Sequence, residues 1–209
     1  NRAPLPFEPR ALAAVILTHA HLDHSGYWPL LVKNGFTGPV YCTSATSELC
    51  AILLPDSGRL QEEDAAYANR RGFSKHRPAL PLYTEDDARA SLRRLQPVAF
   101  EQDIELGKDS RFRFSPAGHI LGAAMVTLRH AGSALLFTGD LGRTDDILMP
   151  PPAAMRQADY LVVESTYGNR RHDPRDPLAE LAEVFNRTFA RGGAVIVPAF
   201  AVGRAQALM

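Results

Sequence analysis

The chain has 209 residues, of which 45% are hydrophobic, so it is long enough for one domain with a sizeable core. Its 23 Lys and Arg residues equal its 23 Asp and Glu residues, which excludes a global electrostatic field that would attract nucleic acid. The net charge neither supports nor excludes an RNA substrate, and any polyanion would have to be held locally by metal ions or by a basic patch.

The cysteines and the apolar segments indicate the compartment. Cys42 and Cys50 form no CxxC pair, so we expect both to be small buried residues in a reducing environment. No apolar stretch approaches the roughly 20 residues of a membrane span, and residues 1–4 do not resemble the start of a signal peptide. The sequence therefore predicts a cytoplasmic protein without a membrane segment.

The first element in the chain is an apolar run at residues 11–17, which predicts a buried strand. It leads into Thr18-His19-Ala20-His21-Leu22-Asp23-His24-Ser25-Gly26, which holds three imidazoles and one carboxylate within six positions. Ser25-Gly26 predicts a turn, and residues 29–34 predict a short helix. The histidines are therefore expected on a loop between a strand and a helix.

This loop has the composition of a metal site. Alternation along an extended chain directs His19 and His21 the same way, and the following turn can direct Asp23 and His24 toward a second point. Imidazole with carboxylate is typical of zinc, although these ligands also suit iron or manganese in a dinuclear site. The alternative is a polar turn with capping histidines, which the density of ligand types disfavours.

An alternation of strands and helices follows the loop. Residues 39–43 predict a strand, and residues 44–54 predict an amphipathic helix that Pro55 breaks. Residues 56–82 contain a polar helix at 61–71 and a Pro-rich linker, which predicts a helical, basic excursion from the core. Its cations could contact a phosphate backbone or could simply form a solvated loop. They are Arg70, Arg71, Lys75, His76 and Arg77.

The next region predicts a helix and then a sheet. Thr84 and the acidic residues after it predict the start of a helix that runs to Leu95 before Pro97. Short segments rich in β-formers follow, with Gly, Pro or Asp turns between them, as in an antiparallel or mixed sheet. These segments cover residues 98–106, 111–115, 123–129 and 133–138.

Two turns in this region contain polar residues that a turn does not require. His119 lies in Gly118-His119-Ile120-Leu121-Gly122, where glycines let the backbone approach a ligand closely. Asp140 follows an apolar strand in the segment 137–143. Taken alone, His119 is more typical of a loop histidine and Asp140 of a turn residue. Together with the motif at residues 18–26, His119 gives one metal three histidine ligands. Asp140 gives a second metal a set of two aspartates and one histidine.

The last part of the chain predicts two further strand and helix pairs. They are a buried strand at 159–163, a helix from Asp176-Pro177 to Gly192-Gly193, a strand at 194–197 and a helix that Gly203-Arg204 opens. Glu164 follows the first strand, so its carboxylate is expected on the side where the other ligands gather. Arg204 lies at a helix N-terminus, which could face an anion.

The ligand pattern resembles the metallo-β-lactamase superfamily. His19-x-His21-x-Asp23-His24 is similar to its second motif, His119 to its third and Asp140 to its fourth. Within that superfamily, four segments resemble the β-CASP RNA nucleases, in particular bacterial and archaeal relatives of the eukaryotic pre-mRNA 3′-end endonuclease. These segments are Gly118–Gly122, Thr138–Arg143, Glu164–Gly168 and Pro198–Arg204.

The resemblance implies an α/β fold, the αββα sandwich, with two zinc ions that serve RNA phosphodiester cleavage by an endonuclease, a 5′-exonuclease or both. Carried over by position, the first zinc is held by His19, His21 and His119, the second by Asp23 and His24, and both by Asp140. Two such metals would lower the pKa of a bridging water so that it becomes a hydroxide, and Asp23 is placed to accept the proton of that water. Glu164 corresponds to an acidic residue that orients a downstream histidine.

The resemblance also implies that residues 1–209 form an incomplete metallo-β-lactamase domain. Family members have further strands before the position of Asn1. A β-CASP cap, two histidine motifs and a last zinc ligand follow the helix in which Met209 lies, so none of these is expected within the chain. His76, His130 and His172 lie outside the family motifs and are predicted to be surface histidines.

Two other functions compete with the nuclease hypothesis. A metallo-β-lactamase hydrolase of small esters, thioesters, lactones or lactams predicts no segment like Glu164–Gly168. A non-catalytic scaffold subunit of an RNA-processing complex is expected to lose metal ligands, whereas those within this chain are intact. The mode of cleavage, the RNA target and the formation of a homodimer are left open.

Overall fold

The structure is a computed structural model that describes residues 5–155, 157–171, 175–199 and 202–208. The two end residues Asn1 and Met209, His172, and the pair Phe200 and Ala201 of the last family segment lie outside these ranges. The chain divides into two compact units, Asn1–Glu164 and Ser165–Met209. The first unit contains both sheets and all six predicted metal ligands.

A small parallel sheet supports the histidine loop. It consists of β1 (Val15–Ile16), β2 (Val40–Cys42) and β3 (Leu95–Pro97), in that order. The strand predicted at 11–17 is shorter than expected because Pro9–Ala11 forms a 3₁₀ turn. Pro97 pairs with Cys42 at the edge of the sheet, where a missing N–H is tolerated.

Helices cover one face of this sheet. They are α1 (Leu22–Ser25), α2 (Trp28–Lys33), α3 (Ser44–Arg71) and α4 (Glu85–Ser91), with a 3₁₀ turn at Leu92–Arg94. Val40 and Cys42 of β2 are fully buried in the core formed with these helices. Cys42 and Cys50 are free and buried, as predicted, and burial raises the pKa of each thiol to about 12.

The predicted break at Pro55 is wrong, because α3 continues without interruption through that residue. A proline inside a helix loses one hydrogen bond and crowds the preceding turn. Here Leu54, Pro55 and Gly58 are buried, and packing of α3 against α4 outweighs that local cost. The first part of the segment 56–82 therefore belongs to the helical layer, and only the residues after Arg71 form a loop.

A larger sheet lies against the other face of the first one. Its strands are β4 (Asp103–Gly107), β5 (Ser110–Pro116), β6 (Ala124–His130), β7 (Ser133–Phe137) and β8 (Tyr160–Val162). Neighbours are antiparallel except for β7 and β8, which are parallel. Phe112 and Phe114 of β5 pack against Ile16 and Tyr41 of the small sheet, with 5.2 Å between the ring centroids of Tyr41 and Phe112. Stacked sheets with helices outside confirm the predicted α/β fold class.

Three sequence predictions in the strands are corrected. The strand predicted at 98–106 begins only at Asp103, as β4, because residues 98–102 form a loop in which Glu101 has a φ of 59°. The preceding strand β3 begins at Leu95, where the sequence predicts the end of a helix. The strand β8 is exposed rather than buried, and among the described residues it pairs only with β7 at the edge of the sheet. Residues 194–197 form no strand in the described chain, and Ile196 is 89% exposed.

Two helices lie in the described part of the second unit. They are α5 (Pro177–Ala190), where the side chain of Asp176 accepts the N–H of Leu178 at 3.0 Å, and α6 (Arg204–Leu208). Both helices begin where the sequence predicts. None of the helices in the described ranges is long and apolar enough to span a bilayer.

Candidate metal centre

The first histidines emerge from the end of β1. His19 and Ala20 are fully buried, and the hydroxyl of Ser25 donates a hydrogen bond to the carbonyl of Ala20 at 2.8 Å. The carbonyl of His21 accepts the N–H of Ser25 at 2.8 Å, which starts α1 directly after the second histidine. The loop that carries His19 and His21 is therefore fixed at both ends. The predicted turn at Ser25-Gly26 is corrected, because Asp23, His24 and Ser25 lie in α1 and the turn comes after that helix, at residues 26–27.

Four of the six predicted ligands converge on one point. One ligand atom from each of His19, His21, His119 and Asp140 lies within 4.8 Å of every other. His21 Nδ1 is 3.2 Å from both His19 Nε2 and His119 Nε2. Asp140 Oδ2 is 3.7 Å from His19 Nε2 and 3.5 Å from His119 Nε2. Imidazole nitrogens and a carboxylate oxygen that face one another in this way form a ligand set for a divalent cation.

The protonation states suit metal binding. Burial, together with the neighbouring imidazoles, lowers the pKa of His19 to about 3, so this ring is neutral near pH 7. Burial also lowers the pKa of His119. A neutral imidazole keeps a lone pair for a metal, and no proton has to be displaced. The donor set and its electrostatics therefore fit a metal ion at this position.

Asp140 links this cluster to the two remaining predicted ligands. Its second oxygen, Oδ1, is 3.3 Å from His24 Nε2, which in turn is 3.6 Å from Asp23 Oδ2. The ring of His24 lies beside that of His19, with 4.2 Å between centroids. Asp23 is the most open of the group, with 76% of its side chain exposed. One carboxylate therefore faces two neighbouring groups of donors, which is the arrangement that a shared ligand requires.

The His119 loop is held by hydroxyl groups that sequence reasoning missed. The carbonyl of Gly122 accepts hydrogen bonds from Thr43 Oγ1 at 2.7 Å and Thr46 Oγ1 at 3.0 Å. Gly122 has a φ of 77°, and a Cβ there would lie 2.5 Å from the nitrogen of Thr46. Thr43 also caps α3, where its hydroxyl accepts the N–H of Thr46 at 3.3 Å. The sequence does not indicate a partner 79 residues away.

The Asp140 loop is held by Glu164. The Oε1 atom of Glu164 accepts the backbone N–H of Leu141 at 2.5 Å, and the N–H of Glu164 donates to Thr138 Oγ1 at 3.2 Å. Gly142 donates its N–H to the carbonyl of Ala117 at 2.8 Å, which joins this loop to the His119 loop. Glu164 thus lies on the side of the ligands, as predicted, and its carboxylate contacts the backbone beside one of them.

The predicted RNA contacts fall into two groups. Arg70, Arg71, Lys75 and Arg77 are exposed at the end of α3 and in the loop after it, whereas Arg204 begins α6 in the second unit. The sequence did not single out Tyr67 and Phe73, two exposed aromatic residues among the first group. His76 and His130 are exposed, as predicted, and His130 Nδ1 forms a hydrogen bond with the Ser110 hydroxyl.

Comparison with known proteins identifies relatives of this arrangement. A family model described as the metallo-beta-lactamase superfamily matches residues 3–198. The chain is 37% identical over 210 residues to ribonuclease TTHA0252 of Thermus thermophilus, which covers 100% of the chain and 44% of that protein. It is 36% identical over 209 residues to the transcription termination factor FttA of Methanothermobacter thermautotrophicus, covering 95% of the chain and 30% of the relative.

A eukaryotic relative extends the comparison. Endoribonuclease ysh1 of Schizosaccharomyces pombe is 34% identical over 211 residues, which cover 97% of the chain and 25% of that protein. The chain therefore spans less than half the length of each of these relatives. The resemblance to ribonucleases of this superfamily, predicted from the motifs, is confirmed by these matches.

Proposed function

We propose that this chain, which belongs to the metallo-β-lactamase superfamily, is the metal-binding part of a ribonuclease that hydrolyses phosphodiester bonds in RNA. The observation that carries this proposal is the convergence of His19, His21, His119 and Asp140, with the second oxygen of Asp140 directed toward His24. The names of the relatives, ribonuclease and endoribonuclease, support RNA as the substrate.

Two zinc ions are the proposed cofactors. His19, His21 and His119 would hold one ion, Asp23 and His24 would hold the other, and Asp140 would be shared. Such a pair, when bound, supplies a water-derived nucleophile near neutral pH and offsets the charge of the phosphate oxygens. The neutral state of His19 favours this role because no proton competes for its nitrogen at that pH.

Asp23 is the proposed general base. Its carboxylate is the most exposed of the six ligands, and it lies beside His24 at the open side of the cluster. A substrate phosphate and the attacking water can therefore reach it without rearrangement of the buried histidines. We expect its carboxylate to take the proton of the attacking water, a contribution typically worth about 10²–10⁴ in rate.

Glu164 is proposed to position Asp140. Its hydrogen bond to the N–H of Leu141 fixes the backbone one residue after Asp140. A second role, the orientation of a histidine outside this chain, stays a prediction from the family resemblance. Either role leaves Glu164 as a positioning residue rather than one that touches the reacting atoms.

Two separate sets of cations are each proposed to contact RNA outside the cleaved bond. Arg70, Arg71, Lys75 and Arg77 would neutralise phosphates at the end of α3, and Arg204 would do so at the start of α6. We also propose a cytoplasmic location, which the two free buried thiols support. A homodimer stays a prediction that sedimentation velocity can test.

The decisive experiment is single-turnover cleavage of a labelled single-stranded RNA at saturating zinc. We expect only slow cleavage by residues 1–209 alone, because the family resemblance implies a last zinc ligand outside them. This cleavage should be lost in His21→Ala and Asp140→Ala and should decrease by about 10²–10⁴ in Asp23→Asn. His130→Ala is the matched control, because this exposed histidine bonds only to Ser110 among the described residues. Cleavage by zinc-free His21→Ala protein at the unmodified rate, or hydrolysis of a thioester instead of RNA, would overturn the proposal.

A further inference from the structure

We infer that the end of α3 and the loop after it form a binding site for the bases of single-stranded RNA, in which exposed aromatic rings stack against bases between cations. This inference rests on the proposed function and names a subsite of it. The site, here called the α3 platform, consists of Tyr67, Arg70, Arg71, Phe73, Lys75 and Arg77.

Two aromatic rings are presented to solvent at this site. Tyr67 is 46% exposed and Phe73 is 66% exposed, with 5.9 Å between their ring centroids and 60° between their planes. The neighbouring Ala68 is buried, so the packed face of α3 at this level is not the face that carries Tyr67. The two rings meet edge to face and remain partly open to solvent, so exposed ring surface can receive planar bases.

Cations surround these rings. Arg70 and Arg71 follow Tyr67 by three and four residues, which places them on the same face of the helix. Their guanidinium carbons lie 5.9 Å and 5.6 Å from the centre of the Tyr67 ring. This spacing is within the range of a cation–π contact. The tyrosine ring thus has two positive charges close to it that a phosphate backbone can approach.

The local charge differs sharply from that of the whole chain. Residues 65–84 contain four Lys and Arg residues and no Asp or Glu, whereas the chain as a whole has a net charge of 0. Among the described residues, no carboxylate forms an ion pair with any of these four cations. An RNA phosphate that binds to these cations therefore does not have to displace a carboxylate of the described residues.

The loop that completes the platform is fixed to α3 rather than loosely solvated. Gly72 ends the helix with a φ of 67°, and its N–H donates to the carbonyl of Ala68 at 2.9 Å. The side chain of Asn69 forms two hydrogen bonds with the backbone of Ala79. Its Nδ2 donates to the carbonyl of Ala79 at 2.9 Å, and its Oδ1 accepts the N–H of Ala79 at 2.7 Å. Because the loop is already ordered, ligand binding would cost little conformational entropy. This arrangement favours a binding site over the alternative of a solvated loop.

The chemistry of the platform selects single strands. Bases in a duplex are stacked on one another and cannot place their faces on Tyr67 or Phe73, whereas unpaired bases can. The platform also lies far along the helix, since the 24 residues from Thr46 to Arg70 correspond to about 36 Å of helix. Thr46 is anchored to the His119 loop. The platform would therefore bind nucleotides remote from the cleaved bond, and very short RNAs would not reach it.

The test is equilibrium binding of a fluorescent single-stranded RNA of about 20 nucleotides with non-hydrolysable linkages. Replacing Tyr67 and Phe73 with Ala is expected to weaken binding by roughly 5- to 150-fold for each base that stacks, with an unchanged salt dependence. Replacing Arg70 and Arg71 with Ala is expected to flatten the slope of log affinity against log salt by about 0.7 for each lost phosphate contact. The conservative changes Tyr67→Phe and Phe73→Tyr should retain affinity.

Matched controls separate stacking from general surface effects. Phe100→Ala removes another exposed aromatic ring, and Arg93→Ala removes another exposed cation. Both should leave the affinity unchanged. A 2-aminopurine base placed along the RNA should lose fluorescence on binding to the unmodified chain and keep it on binding to the double alanine variant.

Three outcomes would overturn the inference. In the first, the Tyr67→Ala and Phe73→Ala double variant binds single-stranded RNA as tightly as the unmodified chain does. In the second, the double variant loses as much affinity for duplex RNA as for single-stranded RNA. In the third, the Phe100→Ala control loses as much affinity as the double variant. Binding is measured without cleavage, so failure of the unmodified chain to cleave any RNA would overturn the proposed function alone. Cleavage of a dinucleotide-length substrate should be the same with and without the platform rings.

Discussion

The carbonyl of Gly122 accepts hydrogen bonds from the hydroxyl groups of Thr43 and Thr46. Gly122 is the last residue of the loop that carries His119. A ligand side chain on a loop keeps its direction only if the backbone beneath it is fixed. Supporting groups of this kind typically change metal affinity by 10- to 100-fold when they are removed. Thr43 and Thr46 are therefore expected to affect the metal centre although neither can reach it.

We predict that Thr46→Val lowers zinc affinity by about 10- to 100-fold. Its cost in folding free energy should be only about 0.5–1.5 kcal/mol, the usual net value of one hydrogen bond. A zinc titration against a chelator of known affinity measures the first effect, and urea unfolding measures the second. Thr127→Val on β6 is the matched control. Equal zinc affinities in the two variants would show that the hydroxyl does not support His119.

A second prediction separates two roles of Glu164. If its carboxylate mainly accepts the N–H of Leu141, Glu164→Gln keeps an oxygen acceptor and should retain most of the zinc affinity. Glu164→Ala loses the acceptor and should bind zinc about 10- to 100-fold more weakly. If the negative charge is what matters, Gln and Ala should be equally damaging. Zinc titration of both variants distinguishes the two cases.

At the scale of elements, the contact between α3 and α4 explains why α3 continues through Pro55. Gly58 lies against the start of α4, where an added Cβ would be 2.7 Å from the backbone of Thr84 and Glu85. Backbone atoms cannot move aside as the end of a side chain can. The close approach of the two helices therefore depends on the absence of a side chain at position 58.

We predict that Gly58→Ala destabilises the protein by about 1–3 kcal/mol through overpacking, even though Ala is favoured over Gly in a helix by about 1 kcal/mol. Urea unfolding followed by circular dichroism measures the change. The exposed residue Ala51 on the same helix provides the control, since Ala51→Gly reports helix propensity alone. An increase in stability for Gly58→Ala would mean that the helices are not in close contact.

The sequence predicted the elements that local signals define. The caps at Thr84 and Asp176-Pro177 were placed correctly because the residues that determine them are neighbours in the chain. The predictions at Pro55 and at 194–197 were wrong. Packing against α4 determines whether the helix continues through Pro55, and a strand at 194–197 would need a neighbouring strand with which to pair. The convergence of the metal ligands was predictable because their motifs lie at the ends of strands. The hydrogen bond from Thr46 to the carbonyl of Gly122 was not predictable, because the two residues are 76 positions apart and no sequence pattern near either one indicates the other.

At the scale of the whole molecule, the metal centre joins parts of the chain that are distant in sequence. His19 follows a strand of the small sheet, whereas His119 and Asp140 follow strands of the large sheet. A metal bound by all three would be lost when the sheets separate. Binding should therefore stabilise the folded state by RT ln(1 + [L]/Kd), which is about 2.7 kcal/mol at a free zinc concentration of 100 Kd.

We predict that this concentration of zinc raises the unfolding temperature by about 5–11 °C, since 1 kcal/mol corresponds to roughly 2–4 °C in a chain of this size. His21→Ala should abolish most of the rise, because His21 Nδ1 contacts two other ligand nitrogens at 3.2 Å. His130→Ala should retain it. Differential scanning calorimetry with and without excess chelator measures the shift. An equal rise in His21→Ala protein would place the stabilising zinc elsewhere, and the four converging side chains would then not be its ligands.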